Sequence, residues 1–426
     1  MTNTEKFFSF IDSSPTSFQA VSYLVTQLSK AGYHELSENE EWHIQPGGKY
    51  FTVRNQSSLA AFRIPENQWK GYLITASHCD SPSFKVKEIP ESMSDPYIRL
   101  NCEKYGAPIL STWLDRSLSI AGRIVIQNDA DILQSVNVSL PEYRFIIPNA
   151  AIHLQNQSEY HLQKDFLPLF STNQESCSLL QLIGDKYNLK KEKILSHDLF
   201  LYNAEKPFYS GSHKQFYSAP RIDDLGCVFS TFTGFLETES ENNSEPMISA
   251  FAVFDNEEVG NTTKQGAAST FLENIIKRIS SSFNQNEQKY FSDISQSFLL
   301  SADNVHAVHP NHPELTDEKN NCYLNHGIVI KRNAGQKYTT DAISSSHIQL
   351  ICKKNQIPYQ HYANRSDLPG GSTLGNIVSS NLSLHAADIG LPQLAMHSCL
   401  ETAGVQDIDL MIQFTKSYYK TPFDIS

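Results

Sequence analysis

From Ser14-Pro15 the apolar residues Phe18, Val21, Leu24 and Leu28 recur at helical spacing and stop at Gly32, which predicts a helix over 15–31. Short runs of strand character follow at 49–54 (Lys-Tyr-Phe-Thr-Val-Arg), 58–63 and 72–77 (Tyr-Leu-Ile-Thr-Ala-Ser). From about 83 to 213 the pattern changes. Strand-like runs such as 120–127 and 143–154 are separated by clusters of Pro, Asn, Ser and Gln, with little helical periodicity, so this stretch reads as a separate β-rich unit. Beyond 215, helical patterns at 224–237, 264–280, 342–355 and 407–420 alternate with strands at 248–254, 296–302 and 392–396. Such alternation predicts an α/β sheet with helices on both faces. The polar segment Glu237–Glu245 reads as a solvated loop.

Composition narrows the class. A chain of 426 residues is too long for one compact core, and 40% apolar with 19% charged residues suits an ordinary globular protein of two or three domains. Lys plus Arg number 34 against 46 Asp plus Glu, a net charge of -12 with no basic run, which argues against nucleic acid as a partner. No stretch of about 18 apolar residues could span a membrane, and the start lacks the basic and apolar segments of a secretion signal. The seven scattered cysteines contain no Cys-x-x-Cys pair and are expected to be reduced thiols in a cytoplasmic protein.

Several apolar strands run straight into residues able to bind metal: Leu73 to Asp80, Phe251 to Glu258, Phe298 to Asp303 and Leu394 to His397. In open α/β sheets ligands bind just beyond the carboxyl ends of strands, so these residues can converge. On an extended backbone His78 and Asp80 leave the same face and Cys79 the other, which lets Asp80 hold the far nitrogen of a metal-bound His78 ring. Asp223 and Asp224 open a predicted helix, where caps also favour acids. Glu257-Glu258 can present one carboxylate as ligand and one as base.

In order these residues resemble the aspartyl aminopeptidase family of co-catalytic di-zinc metallopeptidases. Further stretches carry the resemblance over nearly the whole chain: Ala76-Ser-His-Cys-Asp-Ser-Pro82, Lys85-Val-Lys87, Tyr105 to Arg116, Ile147-Pro-Asn-Ala-Ala-Ile-His-Leu154, Ser301 to Pro310, Asn325-His-Gly-Ile-Val-Ile-Lys331 and Pro392 to Ser398. Cys79, Asn256 and Asp224 stand where that family usually has Thr, His and often Asn. The resemblance implies a catalytic domain of zinc-peptidase type at 1–82 and 214–426, a mixed sheet sandwiched by helices, with an inserted β-rich dimerisation domain at 83–213.

What the resemblance implies about chemistry is specific. One zinc is expected on His78, Asp223 and Asp303 and a second on Asp223, Glu258 and His397, with Co²⁺ or Mn²⁺ as possible replacements. A cis bond is expected at Asp223–Asp224. Glu257 is the expected base, Asp80 the other catalytic residue, and His153, His306, Lys331 and Tyr338 the contacts to substrate. The substrates implied are peptides with an acidic N-terminus, the cation for their side chain being Lys331, and the assembly a dimer-based homo-oligomer, in the family a dodecamer. His309, before Pro310, is taken as structural. Two alternatives stand beside this reading: a di-metal deacylase or carboxypeptidase on the same scaffold, and a non-catalytic assembly protein that keeps the fold.

Overall fold

The computed structural model describes residues 1–154, 159–173, 178–238 and 246–424. Its centre is a nine-stranded mixed sheet made, in chain order, of β1 His34–Glu35, β2 Lys49–Arg54, β3 Ser58–Arg63, β4 Tyr72–His78, β5 Ile248–Phe254, β6 Phe298–Ala302, β7 Ile328–Arg332, β8 Tyr359–Ala363 and β9 His385–Gly390. Across the sheet the order is β1-β2-β3-β5-β4-β6-β9-β7-β8. The four neighbours β5, β4, β6 and β9 are mutually parallel, so their carboxyl ends share one edge.

Alternate residues of these strands enter two different cores. Leu73, Phe251, Val253, Phe298 and Leu300 pack with helices Asn3–Ser13, Ser17–Lys30, Ile222–Glu237, Ala342–Asn355 and Val405–Tyr419. Ile74, Ala252, Phe254 and Leu299 pack on the other face with helices Phe271–Ser282 and Leu374–Leu382. A parallel strand covered on both faces turns apolar residues to each, which is why these segments read as near-continuous hydrophobic runs interrupted by small polar residues such as Thr75, Ser77 and Ser301. Each fully buried Leu or Phe contributes about 1.5–3 kcal/mol over leaving it in water.

A second, antiparallel sheet of six strands lies wholly within the 83–213 stretch. It packs around Phe84, Trp113, Phe166 and Leu199. A five-stranded sheet sets Phe216–Ala219 beside Glu401–Gly404, bringing that late strand against the entry to helix Ile222–Glu237.

Three sequence expectations change. The run 143–154 is not a strand: Phe145 and Ile147 are buried, but Phe145 and Ile146 make only isolated bridges, and the segment ends in a short 3₁₀ turn at Ile152–Leu154. The helix expected from 264 begins at Phe271, because Gly266 packs on the Asn261 backbone in a turn that a helix would break. The 83–213 unit also contains a helix, Leu179–Tyr187, with Ser178 as its N-cap. Helix Asn3–Ser13, not foreseen, is started by a capping box between Thr2 and Glu5. Most of the polar segment 237–245, and Cys177, lie outside the described residues. The six described cysteines are free and buried, and no helix among the described residues is long and apolar enough to cross a membrane.

His347 supplies a test of this packing. Its ring lies 5.0 Å from that of Phe298 and 5.1 Å from that of Phe423, with Nε2 lacking a partner. Burial, helped by Lys354, lowers its pKa to about 4. The unfolded chain takes up this proton below about pH 6.5 and the native state refuses it until about 4, so stability falls as pH drops through that window. Chemical denaturation of His347→Leu and the parent at pH 7.5 and pH 5 should show the parent losing about 2 kcal/mol more than the variant on acidification. Parallel losses would place the protonatable group elsewhere.

Candidate metal centre

The shared edge of the four parallel strands gathers the acids and histidines. β4 ends on His78, whose Cα partner on β5 is Phe254, and β5 continues into Asp255-Asn256-Glu257-Glu258. β6 ends one residue before Asp303. Asp223 enters from the opening of helix Ile222–Glu237, where Asp223 and Asp224 have non-helical backbone and the peptide bond between them is cis. His397 enters from the loop between strands Pro392–Leu394 and Glu401–Gly404.

Distances draw these into one cluster. His78 Nε2 is 3.4 Å from Asp223 Oδ1, while His397 Nε2 is 3.3 Å from Asp223 Oδ2 and 3.4 Å from Glu258 Oε1. Asp223 therefore stands between the two imidazoles, one oxygen toward each. Ligand atoms of His78, Asp223 and Glu258 lie within 4.8 Å of one another, and so do those of His78, Asp224 and Asp303. Asp224, which the family resemblance does not count as a ligand, also accepts the His78 backbone N–H at 3.2 Å.

The cluster is built for positive charge. Asp223 Oδ1, Asp224 Oδ1 and Glu258 Oε1 are buried without hydrogen-bond partners, an arrangement that costs energy unless a cation compensates it. Desolvation pushes the Glu258 carboxyl well up, with Asp223 adding to the shift. Burial opposes protonation of His78, but the Asp223 and Asp80 carboxylates at its two ring nitrogens outweigh it and raise its pKa. For His397 the same balance, with Asp223 and Glu258 as partners, reaches about 10. Burial pushes Glu258 up while the His78 and His397 rings hold Asp223 down, a mix of buried acids and imidazoles that is neutralised by protons or by divalent cations. Imidazole nitrogens and carboxylate oxygens without thiolate suit zinc.

Around the cluster, neighbours aim the ligands. Asp80 stands 3.4 Å from His78 Nδ1, and its backbone oxygen is nearer at 3.1 Å. Cys79 turns away, its thiol donating to the carbonyls of Ser57 and Phe254. Glu257 is set beside Glu258 on a short 3₁₀ turn, and burial lifts its carboxyl to about 7, a value suited to a base near neutral pH. Asn256, at φ 63°, starts that turn.

The expected substrate contacts fall in two places. Lys331 is 1% exposed on β7, its ammonium donating to the carbonyls of Asp303 at 2.7 Å and Asn304 at 3.2 Å. The Tyr338 ring lies 5.1 Å from the same ammonium. His306 is the exposed residue of the two-residue strand Val305–His306, within electrostatic reach of Asp223 and His397. His153 instead lies exposed on the 3₁₀ turn of the six-stranded unit.

Sequence reasoning missed Glu401 and Tyr105. Buried Glu401 accepts the backbone N–H of both Asp223, at 3.1 Å, and His397, at 2.8 Å, and so ties the two ligand-bearing loops together. His397 needs that support, since its φ of 67° is unusual for a residue with a side chain. The spacing of Glu401 four residues after His397 is the one signal in the sequence.

Comparison with known proteins gives one picture. The family model described as aminopeptidase I zinc metalloprotease (M18) matches residues 10–419. A probable M18 family aminopeptidase 2 of Clostridium novyi is 40% identical, with 96% of each chain covered. Aspartyl aminopeptidase 1 of Schizosaccharomyces pombe is 33% identical over 97% of this chain and 94% of its own. Among solved structures, the S. cerevesiae mApe1 dodecamer superposes with a TM-score of 0.87 at 26% identity, covering 98% of this chain and 96% of that one.

Replacing Glu401 by Leu should loosen both ligand loops together. Zinc affinity, measured by competition with a chromogenic chelator, is expected to drop about 10–100-fold, the usual cost of losing an outer-shell partner. Unchanged affinity would show that the loops hold themselves.

Proposed function

The chain belongs to the aminopeptidase I zinc metalloprotease (M18) family, and from that premise we propose that this metallo-aminopeptidase works with two zinc ions and removes Asp or Glu from the N-terminus of peptides. The observation that carries the two-ion reading is the position of Asp223, with Oδ1, buried without a hydrogen-bond partner, toward His78 and Oδ2 toward His397. His78, Asp223 and Asp303 would hold one ion, and Asp223, Glu258 and His397 the other. Zinc, when bound, supplies a Lewis acid for the scissile carbonyl and makes water more acidic.

The chain's own groups do the rest. Glu257 takes a proton from the attacking water and returns it to the leaving amine. Asp80 fixes the far side of His78. An ammonium has three donors, and Lys331 spends two of them on backbone carbonyls; the third, which faces Asp303 Oδ2 at a long 3.7 Å, would turn to the carboxylate of an acidic substrate side chain, beside Tyr338 and His306. A chain of net charge -12 repels acidic peptides at long range, so this local cation must overcome that field.

Residues 1–82 and 214–426 form the catalytic unit in this reading, and 83–213 the dimer contact. Ile152 and Leu154, 80% and 78% exposed on either side of His153, support a surface that a second copy covers, with His153 delivered to the partner's site. The mApe1 dodecamer supports a dimer-based assembly that can reach twelve subunits. Free buried thiols support a cytoplasmic enzyme.

Metal analysis combined with hydrolysis of Asp-, Glu-, Leu- and Lys-terminal dipeptides tests the reading. Two zinc equivalents per subunit and a preference for the acidic pair are expected, with an N-acetylated acidic peptide left intact. Cleavage of the acetylated peptide would favour the deacylase alternative. Glu257→Gln should keep both metals and lose at least about 100-fold in kcat, and full activity there would remove the mechanism.

Assembly has its own test. His153→Ala and Glu257→Ala are each expected to be inactive, yet mixed oligomers of the two should regain partial activity, because one site of a mixed dimer then has both residues intact. No recovery in verified mixed oligomers would confine His153 to its own subunit.

A further inference from the structure

Asp80 holds more than a histidine ring. Its Oδ1 accepts the Glu257 N–H at 3.1 Å, and its Oδ2 accepts the Glu258 N–H at 3.1 Å and the Tyr105 hydroxyl at 2.7 Å. A carboxylate 5% exposed thus clamps the turn that carries both acids of Glu257-Glu258. The two amides belong to the turn itself. Tyr105 does not: it is the last residue of strand Tyr97–Tyr105, in the six-stranded unit.

The direction of the hydroxyl is set by its surroundings. Asn256 Nδ2 donates to the Tyr105 oxygen at 2.9 Å, while Asn256 Oδ1 accepts from Thr263 and Gln265 at 2.9 and 2.7 Å, so the amide is held with its nitrogen toward the tyrosine. An oxygen that receives Asn256's hydrogen sends its own to Asp80. The ring is fixed edge-on against Phe200, centroids 5.3 Å apart at 83°.

We propose that Tyr105 is a positioning residue for the base: through Asp80, the β-rich unit aligns Glu257 for proton transfer, and Asn256 keeps the tyrosine hydroxyl pointed at Asp80. A carboxylate with both oxygens fully engaged cannot rotate, and a turn hung from it presents Glu257 in one orientation. Without the hydroxyl, Oδ2 keeps a single amide and the turn gains freedom where small misplacements are costly.

This inference rests on the aminopeptidase reading with Glu257 as base, and the wild-type enzyme separates the two: if it cleaves no dipeptide, that reading fails. Given wild-type activity, Tyr105→Phe should lower kcat about 10-fold with KM within about 2-fold and with zinc content and assembly unchanged. Asn256→Asp keeps the oxygen that Thr263 and Gln265 donate to but draws the tyrosine proton away from Asp80, and it should lower kcat at least as much. Because there is then no hydroxyl left to misdirect, Tyr105→Phe/Asn256→Asp should stay within about 2-fold of Asn256→Asp alone. Unchanged kcat in Tyr105→Phe, a loss that tracks zinc content, or losses that multiply in the double variant would each overturn the proposal.

Discussion

Everything about this molecule is organised by the need to bury a dense set of carboxylates at one edge of a sheet. Asp80, Asp223, Asp224 and Asp303 are each at most 8% exposed, and Glu258 and Glu257 crowd beside them. Isolated carboxylates in such a place would take up protons instead of staying charged. The fold supplies two imidazoles, a buried ammonium beneath Asp303 and several backbone N–H groups, and these still leave three buried oxygens without a donor. Residues that a stable core would reject are retained because the family to which the chain belongs works with zinc.

The sheet meets that need by geometry. Parallel strands end in register, so β4, β5 and β6 place their following residues side by side without any one loop carrying the whole site. The strands are held from both faces by apolar cores, which makes the edge rigid, and the loops beyond it are tied by polar clamps. Glu401 grips two backbones on one side and Asp80 two on the other. Each is a carboxylate used as an anchor.

The sequence was most informative where chemistry and local pattern coincide. A largely apolar run that ends at or just before His78, Glu257-Glu258 or Asp303 announces a covered parallel strand and its carboxyl end in the same few residues. It was least informative where the evidence is a distant contact. Tyr105 meets Asp80 across 25 positions and Asn256 across 151, and no local periodicity registers either. Lys331 enters the sequence reading only through the family resemblance, since no local pattern tells that the fold sets its ammonium against the backbone of Asp303. The 143–154 run failed for another reason: Phe145 and Ile147 are apolar because they plug a core, not because they pair in a ladder.

The spread of the cluster along the chain has a consequence for how the protein comes into being. His78 leaves the ribosome long before His397 and the Glu401 that braces it. The strand order also interleaves early and late segments, with β5 inserted between β3 and β4, so the central sheet closes only after distant pieces of polypeptide meet. A chain that has not yet reached this segment therefore lacks both the second histidine and its brace. The cluster of acids and imidazoles is therefore assembled only after the segment carrying His397 and Glu401 has joined the sheet.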